Sequence, residues 1–159
     1  MKKTVLSVEA IKRKLEHYCS YQDRCHKEVE KKLNEYNLIP VAKDTILLHL
    51  LEHNFLNEER FAKSFARGKF RIKKWGRQRI TRELKFRNIS SYNIKTALKE
   101  IDEQEYIDTL HQLVEKKNAS ISETNIFKRK KKIADFVLYR GFESNLVYEA
   151  INTYLDKMD

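Results

Sequence analysis

Residues 80–89 read ITRELKFRNI, with an apolar residue, a second one four positions later, an asparagine four positions after that, and then an isoleucine. Apolar residues four apart lie on one face of a helix. Asparagine tolerates the left-handed backbone conformation that closes helices, and the apolar residue after it usually folds back onto the last turn. The stretch therefore predicts the end of an amphipathic helix, with Asn88 as the stop residue.

The same pattern occurs twice more, on either side of this stretch. Its two other copies are Val29-Leu33-Asn37-Leu38 and Ile133-Val137-Gly141-Phe142. A further helix follows each copy, marked by Leu50, Leu98 and Ile151, and a leading helix precedes each, at about 8–18, 58–73 and 103–117. Three copies in order predict an internal repeat of three-helix units.

The sequence thus predicts an all-α fold of three tandem three-helix repeats, each similar to a helix-turn-helix. We place an N-terminal tail at 1–7 and the repeats at 8–56, 57–101 and 102–157. Ser20, Asn57 and Asp102 are the expected N-caps of three helices, because their side chains can accept from free backbone N–H groups.

Composition excludes several other classes of protein. The 159 residues include only three Gly and one Pro, too few for the tight turns of a sandwich or barrel. The two cysteines, Cys19 and Cys25, cannot staple a secreted scaffold and do not have a zinc spacing. No apolar run is long enough to span a membrane, and there is no signal-peptide core. A cytoplasmic helical protein is expected.

The net charge of +10 is concentrated in one segment. Residues 63–87 contain eleven basic residues and a single acid, Glu83, while basic and acidic residues balance in the rest of the chain. A concentrated block of this kind indicates a polyanionic or acidic partner.

At several positions the chain resembles the RecX family of regulatory proteins, which modulate the bacterial RecA recombinase. The similar segments are Ser20 with Glu28-Val29 and Lys32-Leu33, Asn57-Glu58-Glu59-Arg60-Phe61-Ala62, Gly76 with Ile80, Glu83-Leu84 and Asn88-Ile89, and residues 136–142. Asn37 and Asn88 stand where the family usually has glycine. The resemblance covers about residues 8–157.

The resemblance implies an elongated, curved, right-handed array of the repeats that docks along the groove of a RecA filament on DNA. It implies a non-catalytic regulator, mainly an inhibitor, of recombination, ATP turnover and coprotease activity in DNA repair and the SOS response. The expected partners are RecA and single- or double-stranded DNA bound without sequence preference. We expect a monomer, with no cofactor and no membrane partner.

A helical wheel divides the basic segment into two surfaces. The first basic stripe is expected to face solvent, opposite an apolar face with Phe61, Phe65, Gly68 and Ile72, and contains Arg60, Lys63, Arg67, Arg71 and Lys74. The second basic stripe, on the next helix, contains Trp75, Arg79, Arg82 and Phe86. Arginine and aromatic side chains both stack on bases and on other proteins.

We predict that both stripes, together with Arg77, bind the filament. Packing of Trp75 and Phe86 against a neighbouring repeat is the alternative for those two residues. A secondary basic patch is expected near the C-terminus, formed by Lys128, Arg129, Lys131, Lys132 and Arg140.

Two other functions remain open from the sequence. One is an autonomous helix-turn-helix DNA-binding protein, although no set of side chains for base readout is evident. The other is a protein–protein scaffold for an acidic partner.

His49 and His53 have a spacing that metal ligands can use, but no third ligand is evident, and no catalytic arrangement is recognisable. We predict no metal site and no enzyme activity.

Overall fold

The computed structural model describes residues 6–156 and contains only α-helices as regular structure within that range. In chain order the helices are α1 Val8–Tyr21, α2 His26–Leu33, α3 Pro40–Glu52, α4 Glu58–Arg71, α5 Arg77–Phe86, α6 Ser91–Leu98, α7 Glu103–Ser120, α8 Ile126–Tyr139 and α9 Ser144–Asp156. They pack together chiefly in threes along the chain. The predicted all-α repeat fold is confirmed. Residues 1–5 of the expected tail and Lys157, at the expected end of the third repeat, lie outside the described residues.

None of the helices within residues 6–156 is both long enough and apolar enough to cross a bilayer. The repeat boundaries and the elongated, curved, right-handed arrangement stay predictions.

Two of the three expected N-caps are confirmed. The Asn57 side chain accepts from the Arg60 N–H, and the Asp102 side chain accepts from the Glu105 N–H. The expectation for Ser20 is wrong, because α1 continues to Tyr21 and the Ser20 hydroxyl donates to the Glu16 carbonyl one turn earlier. A serine hydroxyl inside a helix can bond the preceding turn instead of capping the next helix.

The stop residues close their helices in two repeats of three. Asn88 and Gly141 have φ of 60° and 96°, and the apolar residue after each of them is buried. Asn37 does not have a positive φ. The chain leaves α2 earlier, through tight turns in which Glu35 and Tyr36 donate back to carbonyls near its end. The expected left-handed stop at Asn37 is therefore wrong, although Leu38 still packs on the core.

The apolar side chains form two cores rather than three. One core belongs to the first repeat and includes Leu15, Leu33 and Leu50. The other runs without interruption through the second and third repeats, from Phe61 to Leu155. The second and third repeats are consequently joined by a continuous apolar interior.

Backbone contact reinforces the joint between the second and third repeats. The Gly76 N–H donates to the Arg140 carbonyl at 2.7 Å, and the Gln78 N–H donates to the Gly141 carbonyl at 2.9 Å. A Cβ on Gly76 would collide with the backbone of Gly141 and Phe142, so only glycine fits there.

A buried tyrosine anchors the same joint. The Tyr106 hydroxyl accepts from the Arg77 N–H at 3.0 Å and donates to the Glu143 carboxylate. Burial and the hydrogen bond to Glu143 raise the pKa of Tyr106, so its hydroxyl stays protonated and remains a donor.

The first repeat is held to the second mainly by polar contacts. Arg60 Nε donates to Asp23 at 2.6 Å, and its other nitrogens donate to the carbonyls of Asn54 and Phe55. Cys25 adds an apolar contact, because its side chain is buried in the core of the second and third repeats.

The apolar face of α4 differs from the expected one. Ile72 is 78% exposed, and a Cβ on Gly68 would meet no heavy atom within 4 Å. Phe61 is buried as expected and Phe65 packs partly buried against the core, but the other buried residues of the helix are Ala62, Ala66 and Phe70. The helix ends at Arg71, so Ile72 leaves the helical face on which the sequence pattern placed it.

Candidate binding surface

The first basic stripe is neutralised by carboxylates from other parts of the chain. Its helical members are ion-paired as follows: Arg60 with Asp23 at 2.6 Å, Lys63 with Glu59 at 3.0 Å, Arg67 with Glu100 at 3.3 Å and Arg71 with Glu105 at 3.9 Å. The hydrogen bond to Glu59 raises the pKa of Lys63. The stripe reaches solvent as expected, but packing also brings acids of the α1–α2 and α6–α7 segments, and of α4 itself, beside its cations. Its part in filament binding stays a prediction.

Lys74, the last member of the first basic stripe, lies outside the helix. It follows the end of α4 and has a φ of 58°, the left-handed conformation of a helix stop. The Trp75 N–H after it donates to the Lys69 carbonyl at 3.1 Å. Lys74 thus closes α4, and its exposed side chain projects from the loop before α5.

Trp75 is partly buried and not fully available to a partner. It precedes α5, whose N-cap is Gly76, and its ring packs edge-on to Phe65 with centroids 6.3 Å apart. The guanidinium of Arg79 lies 4.2 Å from the ring centroid, and the Lys69 ammonium lies 5.0 Å from it. Arg79 covers the ring as the alternative expected, but the ring's contacts with Phe65, Lys69 and Arg79 lie within the second repeat rather than in a neighbouring one.

Arg82 and Lys85 form the most open cationic part of α5. Both are exposed, and within residues 6–156 neither is paired with a carboxylate. They line a shallow groove of about 460 Å³, together with Arg77, Gln78, Thr81 and Glu143. This groove adds three residues that the sequence interpretation did not single out, Lys85, Gln78 and Thr81. Gln78 and Lys85 are four and three residues from Arg82, and Thr81 is four residues before Lys85; this helical spacing is the signal that could have found them.

Phe86 is 68% exposed and belongs to the boundary with the first repeat. The Lys27 ammonium lies 4.0 Å from its ring centroid and donates to its carbonyl at 2.9 Å. Phe86 is the far end of the second basic stripe, so the stripe reaches the first repeat at this point.

Arg77 is an anchor rather than a free cation. Its guanidinium is ion-paired with Glu143 at 2.9 Å and with Glu103, and lies 3.9 Å from the Tyr106 ring centroid. These contacts fix the start of α5 against α7 and α9.

The members of the secondary basic patch differ in their contacts. Arg129 ties the α7–α8 loop by donating to Asn118 and to the carbonyls of Ile121 and Glu123. Lys131 and Lys132 are ion-paired, with Asp135 and Glu123 respectively, and Arg140 donates to the Lys73 carbonyl at 2.6 Å. Lys128 is exposed.

His49, in α3, and His53, at its C-cap, contact each other. The rings of His49 and His53 are 4.4 Å apart, and His49 Nε2 is 3.3 Å from Glu16. In the part of the chain that the structure describes, no three His, Cys, Asp or Glu side chains are grouped so as to hold a metal ion.

The fold and this surface define a class: a tandem array of three-helix repeats with an open cationic groove on its middle unit. Family models for the second and the third three-helix domain of RecX match residues 57–98 and 103–151. Together they cover more than half of the chain. The chain belongs to the RecX family of regulatory proteins, as the sequence motifs predicted.

Curated relatives named regulatory protein RecX support this assignment. The protein of Lactobacillus gasseri is 34% identical over 91 residues, which are 57% of this chain and 34% of that protein. The Lactobacillus johnsonii protein is 28% identical over 81% of this chain and 48% of its own length. The Bacillus cytotoxicus protein is 23% identical over 89% of this chain and 53% of its own length. This chain thus spans about half, or less, of the length of these relatives.

Solved structures share the fold. A crystal structure of RecX from Lactobacillus salivarius superposes with a TM-score of 0.81 at 23% identity, covering 92% of this chain and 95% of that one. Another crystal structure of a regulatory protein RecX superposes with a TM-score of 0.79 at 22% identity, covering 96% of this chain and 81% of that one.

Proposed function

We propose that this chain regulates the RecA recombinase, chiefly as an inhibitor, by binding the RecA–DNA filament. The contact surface would be the second basic stripe together with the groove beside it. The observation that carries this proposal is the open charge of Arg82 and Lys85, which no carboxylate within residues 6–156 neutralises. Unopposed cations at a groove attract DNA phosphates and acidic protein groups. Membership of a family of regulatory proteins supports the regulatory role.

The ion-paired first basic stripe has a different part in this proposal. Its four members on α4, Arg60, Lys63, Arg67 and Arg71, already hold carboxylates of the chain, so a filament contact there would have to break existing pairs. The stripe instead stiffens the middle repeat and its junctions. The second basic stripe can bind an anion without such a loss.

Regulation requires no chemistry by this chain. A protein that binds one state of the filament more tightly than another shifts the filament toward that state. Preference for a non-extending or non-hydrolysing state would lower recombination, ATP turnover and coprotease activity. This would place the chain in DNA repair, recombination and the SOS response of the cytoplasm, as a monomer without a cofactor.

RecA-dependent ATP hydrolysis on single-stranded DNA, titrated with the chain, tests the function. We expect hydrolysis to fall at amounts well below one chain per RecA, or at most equal to it. Unchanged hydrolysis at equimolar amounts would remove the proposed function. Binding to DNA alone with a sequence preference would favour the autonomous helix-turn-helix DNA-binding protein.

DNA contact is tested separately by its salt dependence. On single strands log K should fall by about 0.7 for each phosphate neutralised, and on duplex by about 0.9. A chain that shows no binding to DNA alone, but binds an acidic protein partner with a dependence on salt, would favour the protein–protein scaffold for an acidic partner.

A further inference from the structure

The first repeat contains a groove of about 530 Å³ that is separate from the second basic stripe. Its lining combines three tyrosines with cationic side chains and includes no carboxylate; the side chains are Arg13, Lys14, His17, Tyr18, Tyr21, Arg24, Lys32 and Tyr36. We call it the α1–α2 groove. Its volume lies within the range of about 300–1,000 Å³ typical of pockets for small organic groups.

The tyrosines and cations of α1 follow the helical repeat. Lys14, Tyr18 and Tyr21 are spaced by four and three residues, and Arg13 and His17 are the neighbours that flank this row. Residues at this spacing lie one above another, one turn or about 5.4 Å apart. The helix therefore presents two cations, Arg13 and Lys14, followed by two rings, Tyr18 and Tyr21, along one face.

One of these rings is held in place and another is free. The Arg24 guanidinium lies 3.8 Å from the Tyr18 ring centroid, and Arg24 Nε donates to the Tyr18 carbonyl at 3.1 Å. Tyr21 is 77% exposed. A fixed ring beside an open one suits a flat ligand that stacks on the open ring.

The charge of the groove is not cancelled by its own walls. Arg24 and Lys32 each have an acid nearby, Glu28 at 3.7 Å and Glu35 at 2.9 Å, but both acids lie outside the lining. Arg13 and Lys14 are exposed, and within residues 6–156 neither is ion-paired. The groove therefore offers cations for phosphates as well as rings for bases.

We propose that the α1–α2 groove is a second nucleic-acid site, which binds unpaired bases of single-stranded DNA by stacking on Tyr21 while Arg13 and Lys14 contact the phosphates. In a duplex the faces of the bases are already stacked, so the tyrosines discriminate in favour of single strands. An acidic peptide would satisfy the cations but would leave the exposed ring without a flat partner. The proposal concerns the chain alone and does not depend on its action on RecA.

The test measures fluorescence anisotropy of a labelled oligothymidylate and of a labelled duplex with the full chain. Tyr21→Ala should weaken binding of the single strand at least about fivefold, as expected for one stacked base, and binding of the duplex less than about twofold. Tyr21→Phe should retain the affinity, because the ring remains. Arg13→Glu with Lys14→Glu should weaken both and reduce the salt dependence.

Two variants in α6 serve as matched controls. Tyr92 is 76% exposed and Lys95 is also exposed, so Tyr92→Ala and Lys95→Glu change an equally open ring and charge outside the groove. Neither should alter the affinity for the single strand. The series is repeated in an Arg82→Glu, Lys85→Glu background, so that binding by the middle repeat does not mask the effect.

Photo-crosslinking to an oligonucleotide that contains 5-iododeoxyuridine locates the residues that contact the bound single strand. We expect the modified peptide to contain Tyr21, Tyr18 or Tyr36. The proposal is overturned if Tyr21→Ala behaves as Tyr92→Ala in both backgrounds, or if crosslinks form only in the second repeat. It is also overturned if polyglutamate binds with the same dependence on Tyr21, because the occupant would then be an acidic protein segment. None of these results decides the RecA titration, which is measured with wild-type chain.

Discussion

Arginine residues of this chain have opposite roles according to what lies within reach of their guanidinium groups. Arg60 makes charge-assisted bonds to Asp23 and to two main-chain carbonyls of the α3–α4 connection, so it holds two repeats together. Arg82, twenty-two positions later, is exposed and has no such partner within residues 6–156. The first is an internal clamp and the second is available to a ligand.

Arg60→Ala should lower the free energy of unfolding by about 2 kcal/mol, because it removes several bonds from a charged donor and leaves Asp23 without its partner. Arg82→Ala is the matched control and should change stability by less than about 0.5 kcal/mol. Urea denaturation followed by circular dichroism measures both. Equal stabilities of the two variants would contradict the clamp.

Two glycines of the second repeat should respond in opposite directions to the same substitution. Gly68→Ala should stabilise the chain by about 1 kcal/mol, because the site is helical and a Cβ there meets open space. Gly76→Ala should destabilise it by about 2–3 kcal/mol, because the Cβ would strike the backbone of Gly141. Thermal unfolding separates them. A lower melting temperature for Gly68→Ala would show that α4 packs differently.

Helix ends decide where the charged side chains of this molecule point. α4 stops at a non-glycine residue in the left-handed conformation, Lys74, and this turn places Trp75 before α5 rather than on it. Left-handed backbone costs a residue with a Cβ roughly 1–2 kcal/mol, and glycine avoids that cost.

Lys74→Gly should therefore raise the stability by about 0.5–1 kcal/mol, even though it removes a cation of the first basic stripe. The measurement is the melting temperature, with Lys73→Gly as the control on the neighbouring residue. Lys73 is not in the left-handed region, so its replacement by glycine should be neutral or destabilising. A lower melting temperature for Lys74→Gly would contradict the described turn.

Most helices and many of their ends could be predicted from the sequence, because helix caps and stops depend on residues that are neighbours in the chain. The caps Asn57 and Asp102 and the stops Asn88 and Gly141 act on backbone groups only a few residues away. The ion pairs of Arg60, Arg67 and Arg71 could not be predicted, since their acids are distant in the chain; Arg60 meets one 37 residues away. The helical wheel also assumed that α4 continues through Lys74, and so misplaced Ile72 and Lys74.

At the scale of the whole molecule, the two cores divide the chain unevenly. The second and third repeats share one apolar interior and interlock at Gly76 and Gly141, whereas the first repeat has its own core. Contacts between the first repeat and the rest are mostly hydrogen bonds and ion pairs near Arg60 and Lys27. The first repeat should therefore be able to open without the others.

Native-state hydrogen exchange tests this division. We expect the amides of α1–α3 to exchange through one opening of low free energy, and those of α4–α9 through a larger one that they share. Leu50→Ala, in the core of the first repeat, should lower protection in α1–α3 and leave the protection of α4–α9 nearly unchanged. A single opening that includes all helices would show instead that the chain unfolds as one unit.

The most direct test of the proposed function compares two charge reversals in RecA-dependent ATP hydrolysis on single-stranded DNA. The double variant Arg82→Glu, Lys85→Glu should inhibit at least about tenfold more weakly than wild type, because it sets like charges against the anionic partner. Lys95→Glu, an exposed reversal in α6, should inhibit as wild type does. If the double variant is folded by circular dichroism and still inhibits at wild-type amounts, the second basic stripe with the groove beside it is not the surface that meets the filament.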